Sequence, residues 1–465
     1  MDEAKTLIIV RRHFMAKFEH ALERGLSRLV DVRPDEVRAM LWAFAYFFCV
    51  LTSYYVLRPV RDEMGVAGGV RNMQWLFTAT FITMLVAVPI YGAIVARLPR
   101  SKFIPLVYHF FVLNLVLFWA LLWFRIAPGE AARAFFVWVN VFNLFVVSIF
   151  WSFLADLFRT NQAKRLFGFI AAGGTAGALL GPTITVSLAG LLGPTFLLLV
   201  AALFLEIAVF CAARLERRAL LQQADPQTAA PEEQAASPAA VGGNPFAGFL
   251  LIAKSPYLAG IALWVICLSL AGTFLYFKQA ELVAAASDDP GARTRIFATI
   301  DLVSGILTLI VQFLATGRLV QRFGTGPAAA FLPAIFAIGF AVLAAMPILA
   351  IAMAFQALQR TANFSISNPA REMLFTAVDR EEKYKAKNII DGVLFRGADA
   401  VWAWAFTALR GIGLDGTGIA VATIPVALGW LLLALGLGRA QERRSARMAK
   451  SHDQTSQAQA AGGST

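Results

Sequence analysis

Residues 38–62 read RAMLWAFAYFFCVLTSYYVLRPVRD, and this mostly apolar stretch ends with two arginines, Arg58 and Arg61. A helix of about 20 apolar residues is long enough to cross the ~30 Å hydrocarbon core of a bilayer. The stretch does not alternate apolar and polar residues with period two, as the strands of a membrane barrel do. It therefore predicts a helix that spans a membrane and carries positive charge at one end.

Comparable apolar runs continue along the chain. Of its 465 residues, 58% are hydrophobic and 15% are charged, and the mean hydropathy is +0.66. Soluble domains hold roughly 45–50% apolar residues, and backbone groups in lipid need hydrogen-bond partners inside the protein, which a helix supplies. We therefore predict an all-α membrane protein with twelve transmembrane helices. The predicted spans are 38–58, 73–96, 103–125, 132–157, 165–189, 192–213, 256–279, 295–316, 326–345, 347–368, 386–409 and 417–438.

The basic residues set the orientation of these spans. If the N-terminus is cytoplasmic, 30 of the 41 Lys and Arg residues lie on the inside and nine on the outside, with two more inside spans. An excess of Lys and Arg in short loops is typical of the cytoplasmic side. We therefore expect both termini to be cytoplasmic in a bacterial inner membrane. The net charge of +12 is explained by these loops, so nucleic acid is not an expected partner.

Composition also divides the chain into segments. Residues 1–37 predict a basic amphipathic helix on the anionic leaflet. Residues 38–214 and 248–440 each predict a six-helix bundle. Residues 215–247, rich in Ala, Gln and Pro, indicate a flexible cytoplasmic linker, and residues 441–465 favour a disordered cytoplasmic tail.

The two halves resemble each other at an offset of roughly 220 residues, as two parallel repeats do. The loop Gly317–Gly324 (GRLVQRFG) also resembles the loop signature of the major facilitator superfamily, with Gln321 at the position of its acidic residue. In that architecture the substrate binds near the midplane between the halves. The expected fold is therefore major-facilitator-like.

Charges inside the spans are the main functional signal, because each costs roughly 2.5–3.5 kcal/mol on insertion scales. Arg58 and Arg61 are three residues apart on one helical face, and Pro59 between them can kink the helix. Arginine binds phosphate or carboxylate through two parallel hydrogen bonds, so this pair favours an anionic substrate. The alternative is a pair that anchors the helix end at the membrane surface.

Spans 10 and 11 carry further polar side chains. Gln356, Arg360 and Asn363 follow helical spacing, which predicts a polar stripe that lines a pathway or hydrogen-bonds neighbouring helices. Arg396 and Asp399 are three residues apart and are predicted to pair. The residues predicted to bind substrate, including three aromatic side chains that could stack on a planar ligand, are Tyr54, Tyr55, Arg58, Arg61, Trp151, Lys278, Gln356, Arg360, Asn363 and Arg396.

Several acidic residues complete the predicted pathway. Asp391 is eight residues from Asp399 and shares its face on a regular helix. Asp301 has no basic neighbour in sequence and is expected to pair with Lys278 or Arg396 across helices. The residues predicted to couple or gate transport, with structural ion pairing as the alternative, are Asp62, Asp156, Glu281, Asp301, Asp391 and Asp399.

Other features argue against an enzyme. The three cysteines lie in apolar runs without metal-ligand spacing, and the four histidines do not cluster, so no metal and no cofactor is expected. The span 5 glycines, Gly173, Gly174, Gly177 and Gly181, are spaced for close helix packing. The sequence has neither the phosphate-binding loop motif of nucleotide hydrolases nor a nucleophile elbow.

Several segments resemble the nucleotide transporter family, the ATP/ADP translocases of plastids and intracellular bacteria. That family carries a segment close to Leu-Arg-x-x-Lys-Asp at the end of its first span, and residues 57–62 (LRPVRD) match it with Arg61 at the lysine. Residues 105–110 (PLVYHF), 150–158 (FWSFLADLF) and 163–168 (AKRLFG) are also similar. The resemblance implies an antiporter that exchanges ATP for ADP, or another nucleotide pair, with basic residues holding the phosphates.

Three functions are therefore compared. The leading one is an exchanger of nucleotides or of a related organic phosphate, working as a monomer by alternating access. The second is a proton-coupled major facilitator carrier of another small solute, with Asp301, Asp391 and Asp399 as its acids. The third is a membrane scaffold or sensor without transport, in which charges pair across helices around no central cavity.

Overall fold

A computed structural model describes residues 32–33, 36–95, 100–158, 160–223, 247–316, 324–378 and 380–462. The described residues fold into α-helices joined by short turns, with no strand among them. This agrees with the predicted all-α class. The first half of the described chain consists of α1 (Val37–Ala67), α2 (Met73–Val95), α3 (Arg100–Trp123), α4 (Pro128–Leu157) and α5 (Thr160–Gln223).

The second half begins after residue 246 and contains shorter helical segments. Three π-helical turns interrupt it, at Gln312–Thr316, Asn363–Ser367 and Ile389–Leu394. Its helices are α6 (Ala247–Lys254), α7 (Pro256–Ala286), α8 (Pro290–Val311), α9 (Thr325–Ala345), α10 (Leu349–Ala362), α11 (Asn368–Leu374), α12 (Arg380–Asn388), α13 (Phe395–Gly411) and α14 (Gly416–Gly462).

Each of the twelve predicted spans overlaps helical structure, but nine helices of the described chain are long and apolar enough to cross a membrane. One of the nine, α5, covers predicted spans 5 and 6. Gly193, with φ +75°, breaks this helix close to the predicted boundary between the two spans. Predicted spans 10 and 11 are helical but interrupted by π-helical turns. These segments contain several polar and charged residues, so they are not apolar enough to be counted among the nine.

The glycines of α5 bring it into close contact with α1. A Cβ atom added to Gly177 would lie 2.3 Å from the Phe48 carbonyl oxygen, and one added to Gly173 would lie 2.5 Å from the Phe44 carbonyl oxygen. Only glycine leaves room for the two backbones at this distance. The packing role predicted for these glycines is therefore confirmed.

Each half has its own buried core. In the first half it is built around Tyr46, Tyr108 and Phe150, and Tyr46 donates a hydrogen bond of 2.8 Å to the Tyr108 hydroxyl. In the second half it is built around residues such as Trp264 and Trp430, whose rings meet edge to face at 5.4 Å. The boundary between the two cores, which we call the seam, is where functional side chains from both halves can meet.

The start of α1 and the end of α14 lie on one side of the molecule. Several contacts between the halves lie on the opposite side. Arg293 at the start of α8 pairs with Glu63 near the end of α1 at 3.2 Å. Trp404 of α13 donates a hydrogen bond of 3.0 Å to Thr78 of α2, and its ring meets Trp75. The halves are therefore joined on this side, which we call the far side.

Some predictions fall outside the described residues. They include most of segment 1–37, linker residues 224–246 and residues 317–323 of the loop Gly317–Gly324. The last helix continues to Gly462, into the tail for which the sequence favours disorder.

Candidate functional site

Two cavities lie on the seam between the halves. The first cavity has a volume of about 260 Å³ and is lined by α1, α5, α8, α10 and the π-helical turns that follow α8 and α10. The second cavity has about 250 Å³ and is lined by α1, α2, α4, α7, α10 and α13. Both therefore take their walls from both halves, as a substrate site between two bundles does.

The first cavity extends toward the side of the chain ends. Its wall follows α1 from Arg58 back to Phe47, and follows α8 and its π-helical turn from Asp301 to Gln312. One wall is formed by small residues of α5, including Gly174, so backbone rather than bulky side chains faces the space there. A cavity of this shape accepts a polar group that enters from the side of the chain ends.

Three buried charges close the inner end of the first cavity. Asp301 of α8 accepts a hydrogen bond from the Arg360 Nη1 of α10, and its other oxygen lies 3.7 Å from the Nε of Arg58 on α1. The side chains of Arg58, Arg360 and Asp301 are 16%, 9% and 1% exposed. One carboxylate thus joins an arginine from each half.

Arg58 is held more loosely than Arg360. Its ion pair at 3.7 Å exceeds a hydrogen-bond distance, and its guanidinium lies over the Tyr55 ring at 5.8 Å from the ring centre. A guanidinium has five N–H donors in a planar fork. Arg58 can therefore offer a pair of parallel hydrogen bonds to an anion in the first cavity.

The second cavity lies nearer the far side and is bordered by Arg61. This side chain donates to Asp62 Oδ1 from Nε at 3.0 Å and from Nη2 at 2.6 Å, and to Asn140 Oδ1 at 3.1 Å. Tyr276 of α7 donates to the same Asp62 oxygen at 3.0 Å. Asp62 therefore fixes Arg61 and also links the two halves.

A second charged pair borders this cavity in the other half. Arg396 and Asp399 of α13 lie 3.6 Å apart, and Asp399 also accepts a hydrogen bond of 2.6 Å from Ser269. The pairing predicted for Arg396 and Asp399 is confirmed. The side chain of Arg396 is 36% exposed, so this pair is more accessible than the one in the first cavity.

Aromatic rings and amides form the rest of the second cavity. Gln359 donates to Gln356 at 3.2 Å, and the amide of Asn363 lies on the same wall. The rings on the walls belong to Phe77, Phe81, Phe136, Tyr276 and Phe395. Amides can form hydrogen bonds with the edge of a heterocycle, and rings can stack on its face. These walls therefore suit a planar polar group.

The polar stripe of span 10 lies between the two cavities. Arg360 faces the first cavity, whereas Gln356 and Asn363 face the second. All three residues are therefore on the seam, as the stripe predicts.

Seven residues predicted to bind substrate or to gate do not line either cavity. Lys278 lies at the far side against Gly416 and 3.8 Å from Glu281, which also pairs with Arg410 at 3.0 Å. Trp151 packs against Phe47 in an edge-to-face contact with its ring centre 5.3 Å away. The seven residues are Tyr54, Asp62, Trp151, Asp156, Lys278, Glu281 and Asp391.

Two expectations for the acidic residues are wrong, the ion pair of Asp301 and the shared face of Asp391 and Asp399. Asp301 pairs with Arg58 and Arg360, not with Lys278 or Arg396. Asp391 pairs with Arg371 at 3.3 Å instead of joining Asp399. Eight residues span about 12 Å of helix, so Asp391, which lies in the π-helical turn Ile389–Leu394, takes a partner on the neighbouring α11 instead.

Asp156 also lies apart from both cavities. It is near the end of α4, and its side chain is exposed. The structure therefore gives it no place among the buried charges of the seam.

Sequence reasoning missed several side chains of the site. Asn140, Ser269, Thr273 and Tyr276 line the second cavity, yet each is a single polar residue in an apolar run. The signal that could have found Asn140 is its type, since a buried amide in a span is rare and needs a partner. Its partner Arg61 is 79 residues away in sequence.

Comparisons with known proteins place the whole chain in context. A model of the family described as TLC ATP/ADP transporter matches residues 134–440. Proteins named ADP,ATP carrier protein 1 from Chlamydia muridarum (strain MoPn / Nigg) and Chlamydia trachomatis serovar D are 22% and 23% identical. Each alignment covers 89% of this chain and 90% of the relative.

Solved structures show the same architecture. The nucleoside transporter NupG matches with a TM-score of 0.59 at 14% identity, over 88% of this chain and 99% of that one. A bacterial homologue of the iron transporter ferroportin, in an inward-facing state, matches with a TM-score of 0.58 at 13% identity, over 88% and 98%. These likenesses confirm the major-facilitator-like fold.

Proposed function

The chain belongs to the TLC ATP/ADP transporter family, and from this premise we propose that it exchanges adenine nucleotides across a bacterial inner membrane by alternating access. Its relatives are named as ADP,ATP carriers. A member of this family is a multi-pass membrane transporter, which agrees with the prediction that the chain is not an enzyme. The proposal that follows concerns where the nucleotide binds.

The observation that supports the site best is the group Arg58, Asp301 and Arg360 at the inner end of the first cavity. Arg58 belongs to the first half, and Arg360 belongs to the second. A phosphate oxyanion that binds both guanidiniums touches both halves at once. Binding there can therefore change the relative position of the halves, as alternating access requires.

The chemistry of the group suits a phosphate chain. Phosphate oxygens accept the paired N–H donors of arginine in the same geometry as a carboxylate. Asp301 occupies that position between the two arginines, so it stands in for one anionic group of the substrate. Tyr55, beside Arg58, adds a polar ring at the edge of the same space.

The second cavity is the proposed place of the nucleoside. Its rings can stack on the base, and its amides can hydrogen-bond the base edge or the ribose hydroxyls. Arg360 and Gln356 belong to one helix, so the two cavities are close enough for one extended ligand. Arg61 and Arg396 border the second cavity and are proposed to contact the ribose or the first phosphate.

Alternating access then follows from the contacts of the far side. The pair Glu63 and Arg293 and the contact of Trp404 with α2 hold the halves together there. They have to separate when the site opens to that side. With both termini in the cytoplasm, as the charge distribution favours, the structure is closed to the outside.

The domain organisation remains part of the proposal. Residues 38–214 and 248–440 are proposed to form the two bundles, as the sequence predicts. The protein works as a monomer, because one chain contributes both walls of each cavity.

Exchange in liposomes tests the proposed function. Liposomes that contain the purified full chain and are loaded with ADP should take up labelled ATP, and liposomes without internal nucleotide should take up far less. The matched control is Arg410→Met, since Arg410 lies at the far side outside both cavities. If neither ATP, ADP nor another nucleotide is taken up under any loading, the proposal fails.

A further inference from the structure

Asp301 is an enclosed acid of the first cavity, and its two oxygens differ. Oδ1 accepts a hydrogen bond from Arg360, whereas Oδ2 has no hydrogen-bond partner among the described residues and faces Arg58 at 3.7 Å. The side chain is only 1% exposed. A carboxylate that is removed from water in this way depends on the charge of its two arginines.

The surroundings of Asp301 supply few other charges. From α1 it is faced by Tyr55 and Arg58, and from α10 by Arg360. The wall formed by α5 consists of alanine, glycine, threonine and leucine side chains and carries no charge among the described residues. Any group that takes the donors of both arginines therefore leaves the Asp301 carboxylate without compensation.

The charges of the cluster can be counted. Arg58, Arg61 and Arg360 carry three positive charges, and Asp62 and Asp301 carry two negative ones, so the empty cluster has an excess of one positive charge. A nucleoside di- or triphosphate brings about three to four negative charges, since each phosphate carries at least one. The loaded cluster is therefore strongly negative, and Asp301 is the acid that loses its partners, because Asp62 keeps its hydrogen bonds from Arg61 and Tyr276.

We propose that Asp301 takes up one proton when the phosphate chain of the substrate displaces it from Arg58 and Arg360. This inference rests on the proposed function, because it needs a phosphate in the first cavity. Two anions cannot share an enclosed site without cost, and protonation of one removes the repulsion. The proton comes from the buffered solvent through water in the cavity, the carboxylate becomes a carboxylic acid, and its O–H can donate to a phosphate oxygen.

The consequence is a linkage between substrate binding and pH. If one proton enters with each nucleotide, the Kd rises tenfold for each pH unit in the range where empty Asp301 is ionised. Asparagine at the same position mimics the protonated acid. Asp301→Asn should therefore bind nucleotide with a Kd that does not change with pH, and at least as tightly as the wild type at high pH.

Calorimetry on the purified full chain measures this linkage. ATP is titrated at pH 7.5 and pH 8.5, both above the value of about 6 at which a phosphate loses its second proton. The wild type should show a Kd about tenfold higher at pH 8.5, and Asp301→Asn should show the same Kd at both. The heat measured in two buffers of different ionisation enthalpy should correspond to uptake of one proton by the wild type.

Controls separate this role from a structural one. Asp399→Asn changes the enclosed acid of the second cavity, so it should keep the tenfold dependence. Asp301→Ser is a second neutral variant, for the case in which Asp301→Asn does not fold. Adenosine, which lacks phosphate, should bind without pH dependence.

Two results overturn the inference and leave the proposed function standing. One is ATP exchange by a wild type whose Kd is equal at both pH values. The other is a pH dependence that survives in the neutral Asp301 variants or disappears in Asp399→Asn. A wild type that neither binds nor exchanges any nucleotide would instead contradict the proposed function.

Discussion

The two cavities of the seam use charge in different ways. In the first, the carboxylate of Asp301 pairs with an arginine from each half. In the second, each ion pair stays within one helix, Arg61 with Asp62 on α1 and Arg396 with Asp399 on α13. The first arrangement depends on how the halves are placed, whereas the second arranges side chains within each half.

This difference indicates that the two cavities have different roles in transport. An ion pair between halves breaks or forms when the halves move, so it can respond to a substrate. Pairs within a helix persist through such a movement and hold their arginines in a fixed direction. The second cavity keeps one link between halves, the hydrogen bond from Tyr276 to Asp62, which costs less to break than a buried ion pair.

Removal of Arg360 should have the largest effect. Arg360→Met leaves Asp301 with only the looser contact to Arg58, and breaking a buried pair costs about 3–5 kcal/mol. Exchange of ATP for ADP in liposomes should fall by roughly a hundredfold or more, since 1.4 kcal/mol is a factor of about ten. Arg410→Met is the control, and equal activity of the two variants would contradict the assignment.

The second largest effect is expected from a side chain added to the wall of the first cavity, which should lower the stability of the fold. Gly174→Ala in the first cavity would place a Cβ 2.3 Å from the Phe47 ring, which is stacked on Phe150 at 4.1 Å and cannot move freely. Overpacking of this kind costs about 1–3 kcal/mol. The thermal unfolding temperature in detergent should fall.

Gly272→Ala is its matched control. Gly272 lines the second cavity, and nothing lies within 4 Å of an added Cβ there. Its unfolding temperature should stay near that of the wild type. Equal temperatures for the Gly174 and Gly272 variants would show that the α1–α5 contact is looser than the structure describes.

A smaller effect is expected from the charged pair of the second cavity. In Arg396→Met, Asp399 keeps its hydrogen bond from Ser269, and the lost arginine was 36% exposed. A partly exposed pair contributes about 1 kcal/mol. The KM for ATP should therefore rise by up to about fivefold with little change in kcat, and a loss as large as that of Arg360→Met would remove the distinction between the cavities.

Lys278→Met should have the smallest effect. The sequence predicts Lys278 as a substrate ligand, but the structure places it outside both cavities. Its partner Glu281 keeps Arg410 at 3.0 Å. Exchange should stay within about threefold of the wild type, less than 1 kcal/mol, because Lys278 contacts neither cavity. A hundredfold loss would place the substrate path along the end of α7.

Much of the fold could be predicted from the sequence because apolar length and helical spacing are local properties. The spans, the glycines of α5 and the pairing of Arg396 with Asp399 all follow from residues within one helix. The predicted boundary between spans 5 and 6, at residues 190–191, lies two residues before the break at Gly193. The π-helical turns were not visible in the sequence, because they change the register by one residue without a change in composition.

The sequence by itself determined that this chain is a helical membrane protein and that arginines and acids lie inside its spans. The cost of charge in lipid makes those positions informative without any structure. Only the tertiary structure decided which charges meet. Asp301 is 59 residues from Arg360 and lies in the other half from Arg58, and helical spacing cannot predict which faces of distant helices pack together.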